Sequence, residues 1–478
     1  MNEISIKKAA LINAFGRYST IVLNLGFSAV LARLLTPEDY GIVAVTAVFT
    51  TFFTLIADMG IGAGVIQNKE LSDADINTIY TLTVRISIIL ALAFMAFSIP
   101  MSWFYKDKVY IPVGILLAIS LFFSAMNMVP NALLLKQKRF MAVGIRTIVV
   151  CVLTGSIGII LALLGLKYYA LVLQNIFNAF FIFIWNYIST KPKLVKKICK
   201  ESINKIRNYS SFLFGFNLIN YFARNTDNLL ISKFMGTAAL GYYDKAYKLM
   251  LYPVGNLTHV ITPVLHPILS EHQNDKKYIY EKYLEIVKFL SLAGAFITPF
   301  CFCASDEIIR IMFGERWLSA IPCFKWMSLS IWSQMILSSS GTIFQCIGDT
   351  KHQFIAGTMN AVMTVLFIVA GLIEGNIVAV ARNISISYNV QFISTFILLV
   401  HVGMKMKSRN FFFKLVPDYL ILLLCLVVGI AINVSGVVML KNQLLLSFFV
   451  KGTIIFALYV VLLLLFRQQK VFMRFFRK

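Results

Sequence analysis

About fourteen apolar runs, most of them 20 residues or longer, follow one another along this chain with only short polar segments between them. A membrane-spanning helix needs about 20 mainly apolar residues. Fourteen such helices would use roughly 280 to 320 residues, and the chain has 478. What remains supplies loops and two tails, with no room for a soluble domain. Backbone groups inside hydrocarbon must be paired within their own segment, so runs of this length are helical. The sequence therefore predicts an all-α integral membrane protein with about fourteen transmembrane helices. The expected spans are 11–33, 42–66, 80–104, 111–133, 143–165, 168–189, 211–235, 246–270, 284–303, 318–347, 353–373, 376–403, 415–436 and 444–466. The tenth is long enough to be tilted or partly interfacial.

Charge agrees with this. Only 14% of residues are charged and 59% are hydrophobic, against about 25% charged in a soluble domain. The net charge of +23 would suit nucleic acid if it sat on one module. It is instead spread through the segments between apolar runs, as membrane topology requires. Segment 190–210 carries Lys191, Lys193, Lys196, Lys197, Lys200, Lys205 and Arg207; 134–140 carries Lys136, Lys138 and Arg139; 405–414 carries Lys405, Lys407, Arg409 and Lys414. The segments assigned outside hold fewer cations, so both termini are expected in the cytoplasm. The first apolar run follows Lys7 and Lys8 and lacks a small-residue cleavage site, so it reads as a retained span. The resulting plan is an N-terminal lobe over 1–190, a basic cytoplasmic linker over 191–210, a C-terminal lobe over 211–404, and two added spans with a basic tail over 405–478. The seven cysteines form no CxxC pair and have no histidine cluster beside them, which predicts no disulfide framework, no metal site and no cofactor.

The two lobes resemble each other at an offset of 200 residues. Leu31-Ala-Arg-Leu-Leu-Thr-Pro-Glu-Asp-Tyr-Gly41 aligns with Ile231-Ser-Lys-Phe-Met-Gly-Thr-Ala-Ala-Leu-Gly241. Polar stripes in the preceding spans repeat the match. Asn13, Arg17, Thr20, Asn24 and Ser28 fall within about 80° of one another on a helix, and Asn217, Asn220, Arg224, Asp227 and Asn228 within about 100°. Six spans separate the stripes, so both run in the same direction, as in a parallel repeat about an axis along the membrane normal. A cation near the bilayer centre costs about 2.5–3.5 kcal/mol on insertion scales and normally faces a bundle interior or water. Two such stripes predict a polar central cavity.

Individual residues carry competing readings. Arg224 lies about 13 residues into its span, roughly 20 Å deep; it serves the cavity, or pairs with Asp227 one turn on. Arg17 and Arg382 are cavity cations, or snorkel. Arg85 and Arg146 lie near cytoplasmic ends and are expected to snorkel. Asp58, ahead of the Gly60–Gly64 glycines, and His259 are candidates for coupling, ion pairing or a purely structural role. The glycine run lacks the Lys-Ser/Thr of a phosphate loop and reads as close packing or a helix break. Tyr242, Tyr243, Tyr247 and Tyr252 read as interfacial anchors, with stacking on sugar rings as the alternative.

With these residues in view, the sequence resembles the Wzx-type polysaccharide flippases of the multidrug/oligosaccharidyl-lipid/polysaccharide superfamily. The resemblance covers nearly the whole chain. It rests on Ala32-Arg-Leu-Leu-Thr-Pro-Glu-Asp-Tyr-Gly41, Asp58-Met-Gly-Ile-Gly-Ala-Gly-Val-Ile-Gln67, Leu71-Ser-Asp-Ala-Asp-Ile-Asn77, Asn225-Thr-Asp-Asn-Leu-Leu-Ile-Ser-Lys233, Leu240-Gly-Tyr-Tyr243 and Phe313-Gly-Glu-Arg-Trp317. It implies two six-helix lobes plus two C-terminal helices in the bacterial inner (cytoplasmic) membrane. It also implies an undecaprenyl-diphosphate-linked oligosaccharide as substrate, moved by alternating access for O-antigen, capsule or exopolysaccharide synthesis, with membrane lipids, a polysaccharide polymerase and a chain-length regulator as partners. Arg17 and Arg224 suit a diphosphate, since arginine offers a donor fork matched to phosphate oxygens. A cation-coupled drug exporter of the same superfamily is the alternative within transport. A membrane polymerase or ligase is the enzymatic alternative; the outer segment 304–317, with Asp306, Glu307, Arg310, Glu315 and Arg316, is short and presents no nucleophile–base arrangement.

Overall fold

The computed structural model describes residues 3–68, 70–196, 198–199, 201–203, 221, 225–270, 272–273, 275–435 and 443–471; the side chains of 3–17 and 258–268 lie outside that description. Among the described residues there are helices and no strand. The chain divides into two compact units, Met1–Gly241 and Tyr242–Lys478.

The N-terminal unit contains α1 (Glu3–Leu34), α2 (Pro37–Asp58), α3 (Ile61–Gln67), α4 (Asp73–Tyr105), α5 (Tyr110–Met126), α6 (Met128–Lys136), α7 (Phe140–Leu163) and α8 (Tyr168–Thr190). A helical stretch over 225–235 precedes α9 (Thr237–Ser270). Then come α10 (Lys276–Cys303) and α11 (Ser305–Phe313), and three short helices, α12 (Ala320–Ser328), α13 (Ile331–Leu337) and α14 (Ser340–Cys346). α15 (Thr350–Ile373), α16 (Ile377–Ile397), α17 (Ser408–Ser435) and α18 (Leu444–Leu465) complete the order, α16 ending in a π-helical turn over Leu398–Gly403. Ten helical stretches among the described residues are long and apolar enough to cross a membrane.

Those ten correspond to ten of the expected fourteen. Run 11–33 qualifies only as the shorter apolar stretch Tyr18–Leu34. Run 211–235 falls largely outside the described residues, and run 246–270 lies within α9, which is not among the ten. Run 318–347 corrects the expectation of one long span, because it is broken into α12, α13 and α14. Serines are frequent across the breaks. Ser328, Ser330, Ser333, Ser338, Ser339 and Ser340 each donate a hydroxyl hydrogen bond to the carbonyl three residues back. Such bonds offer the backbone an alternative to the regular helical ladder.

Several of the motifs behind the resemblance prove to be helix starts. Thr36 caps α2: its hydroxyl accepts from Asp39 N–H at 3.2 Å, while Asp39 Oδ2 accepts from Thr36 N–H at 2.9 Å. Pro37 occupies the first helical position, where its missing N–H is harmless. Ser72 and Asp75 repeat the arrangement for α4, at 3.2 and 3.0 Å. Each such cap contributes about 1 kcal/mol. Asp39 Oδ1 also accepts from Tyr168 N–H at 3.0 Å, joining the start of α8 to the start of α2. Within Asp58–Gly64, Met59 and Gly60 adopt φ of 40° and 75°, which breaks the second run into α2 and α3. Asp58 Oδ1 then accepts from Gly62 N–H at 3.1 Å.

The basic segment after α8 is pinned to α4 by residues four apart. Asn77 Oδ1 accepts from Lys193 N–H at 2.7 Å, Thr81 Oγ1 from Val195 N–H at 2.9 Å, and Arg85 Nη2 donates to Lys196 O at 3.3 Å. That spacing puts all three on one helical face. Asp75 Oδ1 further accepts from Ser202 Oγ at 2.6 Å.

The aligned repeat motifs meet inside Met1–Gly241. A Cβ on Gly41 would lie 1.8 Å from Thr237 O, and a Cβ on Gly241 would lie 2.0 Å from Pro37 O. Residues 37 and 41 correspond to 237 and 241 at the offset of 200, so each motif seats its glycine against the other's first turn. Reciprocal contacts of this kind are the signature of a two-fold relation.

In the second unit two other motifs pack together. Trp317 is fully buried, in edge contact with Tyr242 at 5.9 Å and next to Phe313 at 5.7 Å. Lys245 Nζ sits 5.0 Å from the centre of the Phe313 ring. Tyr243, also fully buried, stacks on Tyr247, whose hydroxyl pairs with that of Tyr388 at 2.8 Å. Tyr242, Tyr243 and Tyr247 therefore take part in packing within the second unit.

Candidate functional site

The N-terminal unit contains a cavity of about 290 Å³ bounded by α2, α5 and α8. α2 contributes Thr50 and Thr51, α5 contributes Ser120 and Ser124, and α8 contributes Asn175 and Asn178. Asn127, at the joint between α5 and α6, also lines it, and Val43, Leu117 and Ile182 add apolar wall. None of the described lining residues is charged.

Asn175 and Asn178 sit in the body of a helix apolar enough to cross a membrane. Asn175 is exposed and Asn178 half-buried. Neither side-chain amide, nor the Ser124 hydroxyl, bonds to a protein group among the described residues. An amide facing hydrocarbon without a partner is costly, so this face of α8 calls for a polar partner. Thr50 and Ser120 direct their protons to backbone carbonyls, Thr46 O at 2.8 Å and Asn175 O at 3.3 Å. Their oxygen lone pairs remain as acceptors.

Arg146 of α7 adjoins this region and corrects an expectation. It does not snorkel: it is 7% exposed. Its Nη1 donates to Asn186 Oδ1 at 2.6 Å and Asn131 Oδ1 at 3.1 Å. Asn186 Nδ2 in turn donates to Asn127 Oδ1 at 2.7 Å. Among the described residues no carboxylate pairs with Arg146.

The residues singled out from sequence fall as follows. Arg17 lies on α1, with its side chain outside the described residues, as does that of His259 on α9. Asn217, Asn220 and Arg224 lie outside the described residues altogether. Asn24 faces α7, its Oδ1 accepting from Cys151 Sγ at 3.3 Å. Asp227 is buried and its Oδ1 accepts from Asn228 N–H at 2.8 Å; Asn228 itself is half-buried. Asp58 serves the break before α3 and makes no ion pair among the described residues. Arg382 Nη2 lies 2.6 Å from Glu374 Oε1. That hydrogen bond holds the Glu374 carboxyl below the usual carboxylate range. Asn24, Asp58, Asp227, Asn228 and Arg382, whose side chains are described, do not line the α2–α5–α8 cavity. The sequence did carry a signal for it: Ser120, Ser124 and Asn127, and Asn175 and Asn178, recur at helical spacing inside apolar runs.

The fold and this cavity define a multi-pass helical membrane protein with a polar chamber in one of its units. Residues 30–322 match the family described as "Polysaccharide biosynthesis protein", and the chain belongs to that family. It is 23% identical over 414 residues to the "Teichuronic acid biosynthesis protein TuaB" of Bacillus subtilis (strain 168), covering 85% of this chain and 84% of that protein. It is 23% identical over 448 residues to the "Lipopolysaccharide biosynthesis protein WzxC" of Escherichia coli (strain K12), covering 89% and 87%. In fold it is similar to the "Lipid II flippase MurJ, inward closed conformation", with a TM-score of 0.75 at 16% identity over 96% of this chain and 99% of that one. An inward-facing multidrug resistance MATE family transporter of the MOP superfamily shares the fold at a TM-score of 0.58 and 18% identity, over 83% and 98%.

Proposed function

We propose that this protein is a flippase that carries undecaprenyl-diphosphate-linked oligosaccharides from the inner to the outer leaflet of a bacterial cytoplasmic membrane, supplying O-antigen, capsule or exopolysaccharide synthesis. The observation that carries the reading is the chamber of hydroxyls and amides within membrane-length helices. A sugar headgroup cannot cross hydrocarbon unless its water is replaced, and such groups replace it. Membership of the polysaccharide biosynthesis family and the names of the relatives support the same substrate class. Transport needs no bond making, which sets this reading against a polymerase or ligase. Drug export is the second reading, favoured only by the shared fold with MATE transporters.

In this reading 1–190 and 211–404 are the two lobes, 191–210 the cytoplasmic linker and 405–478 the added helices and tail. Both termini face the cytoplasm. Arg17 and Arg224 receive the diphosphate, with Asn24, Asn217, Asn220 and Asn228 diluting the charge so that the substrate is not trapped. Arg382 is a third cation, restrained by Glu374. A polymerase and a chain-length regulator would consume the product on the far side.

The test is complementation of a flippase-deleted strain, followed by transport in proteoliposomes. Arg224→Ala is expected to reduce glycan export to background while the protein stays in the membrane at wild-type level. Wild-type export by that variant would remove Arg224 from the mechanism. A wild-type protein that exports cationic drugs and fails to restore glycan would favour the second reading.

A further inference from the structure

The amide chain leading to the cavity has a direction. An arginine guanidinium has donors and no acceptor. Arg146 must therefore meet the carbonyl oxygen of Asn186, which turns the Asn186 NH2 toward Asn127. Asn127 must accept with its own oxygen, and this leaves its NH2 as the free end of the chain. Asn127 is a lining residue of the α2–α5–α8 cavity. The positive charge at the far end polarises the chain, which strengthens the donor at the near end. Away from Asn127 the lining differs. Thr50 and Ser120 present acceptor lone pairs, while Asn175, Asn178 and Ser124 can both donate and accept.

We propose that this cavity is a glycan subsite: it takes one sugar ring of the lipid-linked chain, with an acceptor substituent of that ring, an acetamido carbonyl or a carboxylate, on the Asn127 NH2, and Arg146 acts as the positioning residue. The proposal rests on the flippase reading for the lipid and on the cavity for the sugar. Size supports it. About 290 Å³ lies at the lower edge of the roughly 300–1,000 Å³ of small-molecule sites, right for a ring and small for a lipid diphosphate. The chemistry agrees as well. Ring hydroxyls donate and accept, as the lining does, and Val43, Leu117 and Ile182 offer apolar wall to ring C–H groups.

The experiment compares affinities of the purified full-length protein for two probes. One is undecaprenyl diphosphate; the other is the undecaprenyl-diphosphate-linked repeat unit extracted from polymerase-deficient cells of the source strain. The wild type is expected to bind the glycosylated lipid at least tenfold more tightly. Asn178→Leu, at an amide that bonds to no protein group among the described residues, is expected to bring the ratio within twofold of one and leave affinity for the bare lipid unchanged. Arg146→Met should collapse the ratio likewise, and Arg146→Lys should keep part of it. A purely structural role for Arg146 would lower affinity for both lipids equally. A wild-type ratio near one, or a ratio undiminished in Asn178→Leu, overturns the subsite. A wild type that keeps the ratio and moves no lipid in proteoliposomes overturns the flippase reading and leaves the subsite standing.

Discussion

Glu307→Ala is expected to destabilise the protein by about 3–5 kcal/mol, because it leaves Lys451 buried without its counter-ion. Glu307 of α11 and Lys451 of α18 are 4% and 7% exposed, and Lys451 Nζ lies 2.5 Å from Glu307 Oε1. Ser447 Oγ donates to the same oxygen at 2.7 Å, and Lys451 Nζ reaches Cys303 O at 3.4 Å. A second pair, Lys288 to the fully buried Asp418 at 2.6 Å, ties α10 to α17. Both C-terminal helices are thus joined to the second unit by charge. Removing one member of a buried pair is far more damaging than removing both, since desolvation offsets much of the pair's attraction. Glu307→Leu combined with Lys451→Met should recover most of the single-variant loss. Unfolding of the detergent-solubilised proteins, followed by tryptophan fluorescence, measures all three. A Glu307→Ala protein as stable as wild type, or a double variant as unstable as the sum of its singles, would sink the account. The same burial settles a question about segment 304–317. Glu307 points into the protein at a lysine, so it is not an acid offered to an external substrate.

How much of this was legible in the sequence depends on the physical signal each feature leaves. Hydropathy found ten of the expected spans because it sums over a window. It could not find the breaks in 318–347, because a window average hides interruptions of two residues. The helix starts at Thr36 and Ser72 were visible as motifs, and only the structure shows them to be caps. The site divides the same way. A charge is conspicuous in an apolar run, so Arg17, Arg224 and Arg382 drew the functional reading. The described lining of the α2–α5–α8 chamber is uncharged and divided among three helices, two or three polar groups to each. Arg146 was misread for a related reason. Its partners stand at 131 and 186, with 127 bonded in turn to 186, and nothing in the spacing announces that they come together. Conversely, the offset-200 alignment, weak in identity, predicted which glycines would correspond.

Those glycines give the second large effect. Gly41→Ala would place a methyl 1.8 Å from Thr237 O, and Gly241→Ala would place one 2.0 Å from Pro37 O. Both obstacles are backbone atoms that no side-chain rotation can clear, so the first turns of α2 and α9 must separate. Overpacking of this kind costs about 1–3 kcal/mol for each substitution. Because the two methyls strain one shared contact, their effects should not add: once the first has pushed the turns apart, the second finds space. The double variant is expected to fall short of the summed loss by at least 0.5 kcal/mol, on the order of couplings seen between touching residues. Each single variant should also lower glycan export tenfold or more in the complementation assay, since the contact joins the two repeat motifs. Gly357→Ala is the control. A Cβ there meets nothing within 4 Å, and alanine replaces glycine inside a helix with a gain of up to about 1 kcal/mol. Four melting curves, for wild type, the two singles and the double, decide the matter. Strict additivity would mean that the two glycines act at separate places, and the offset-200 repeat would then lose its structural meaning at this contact.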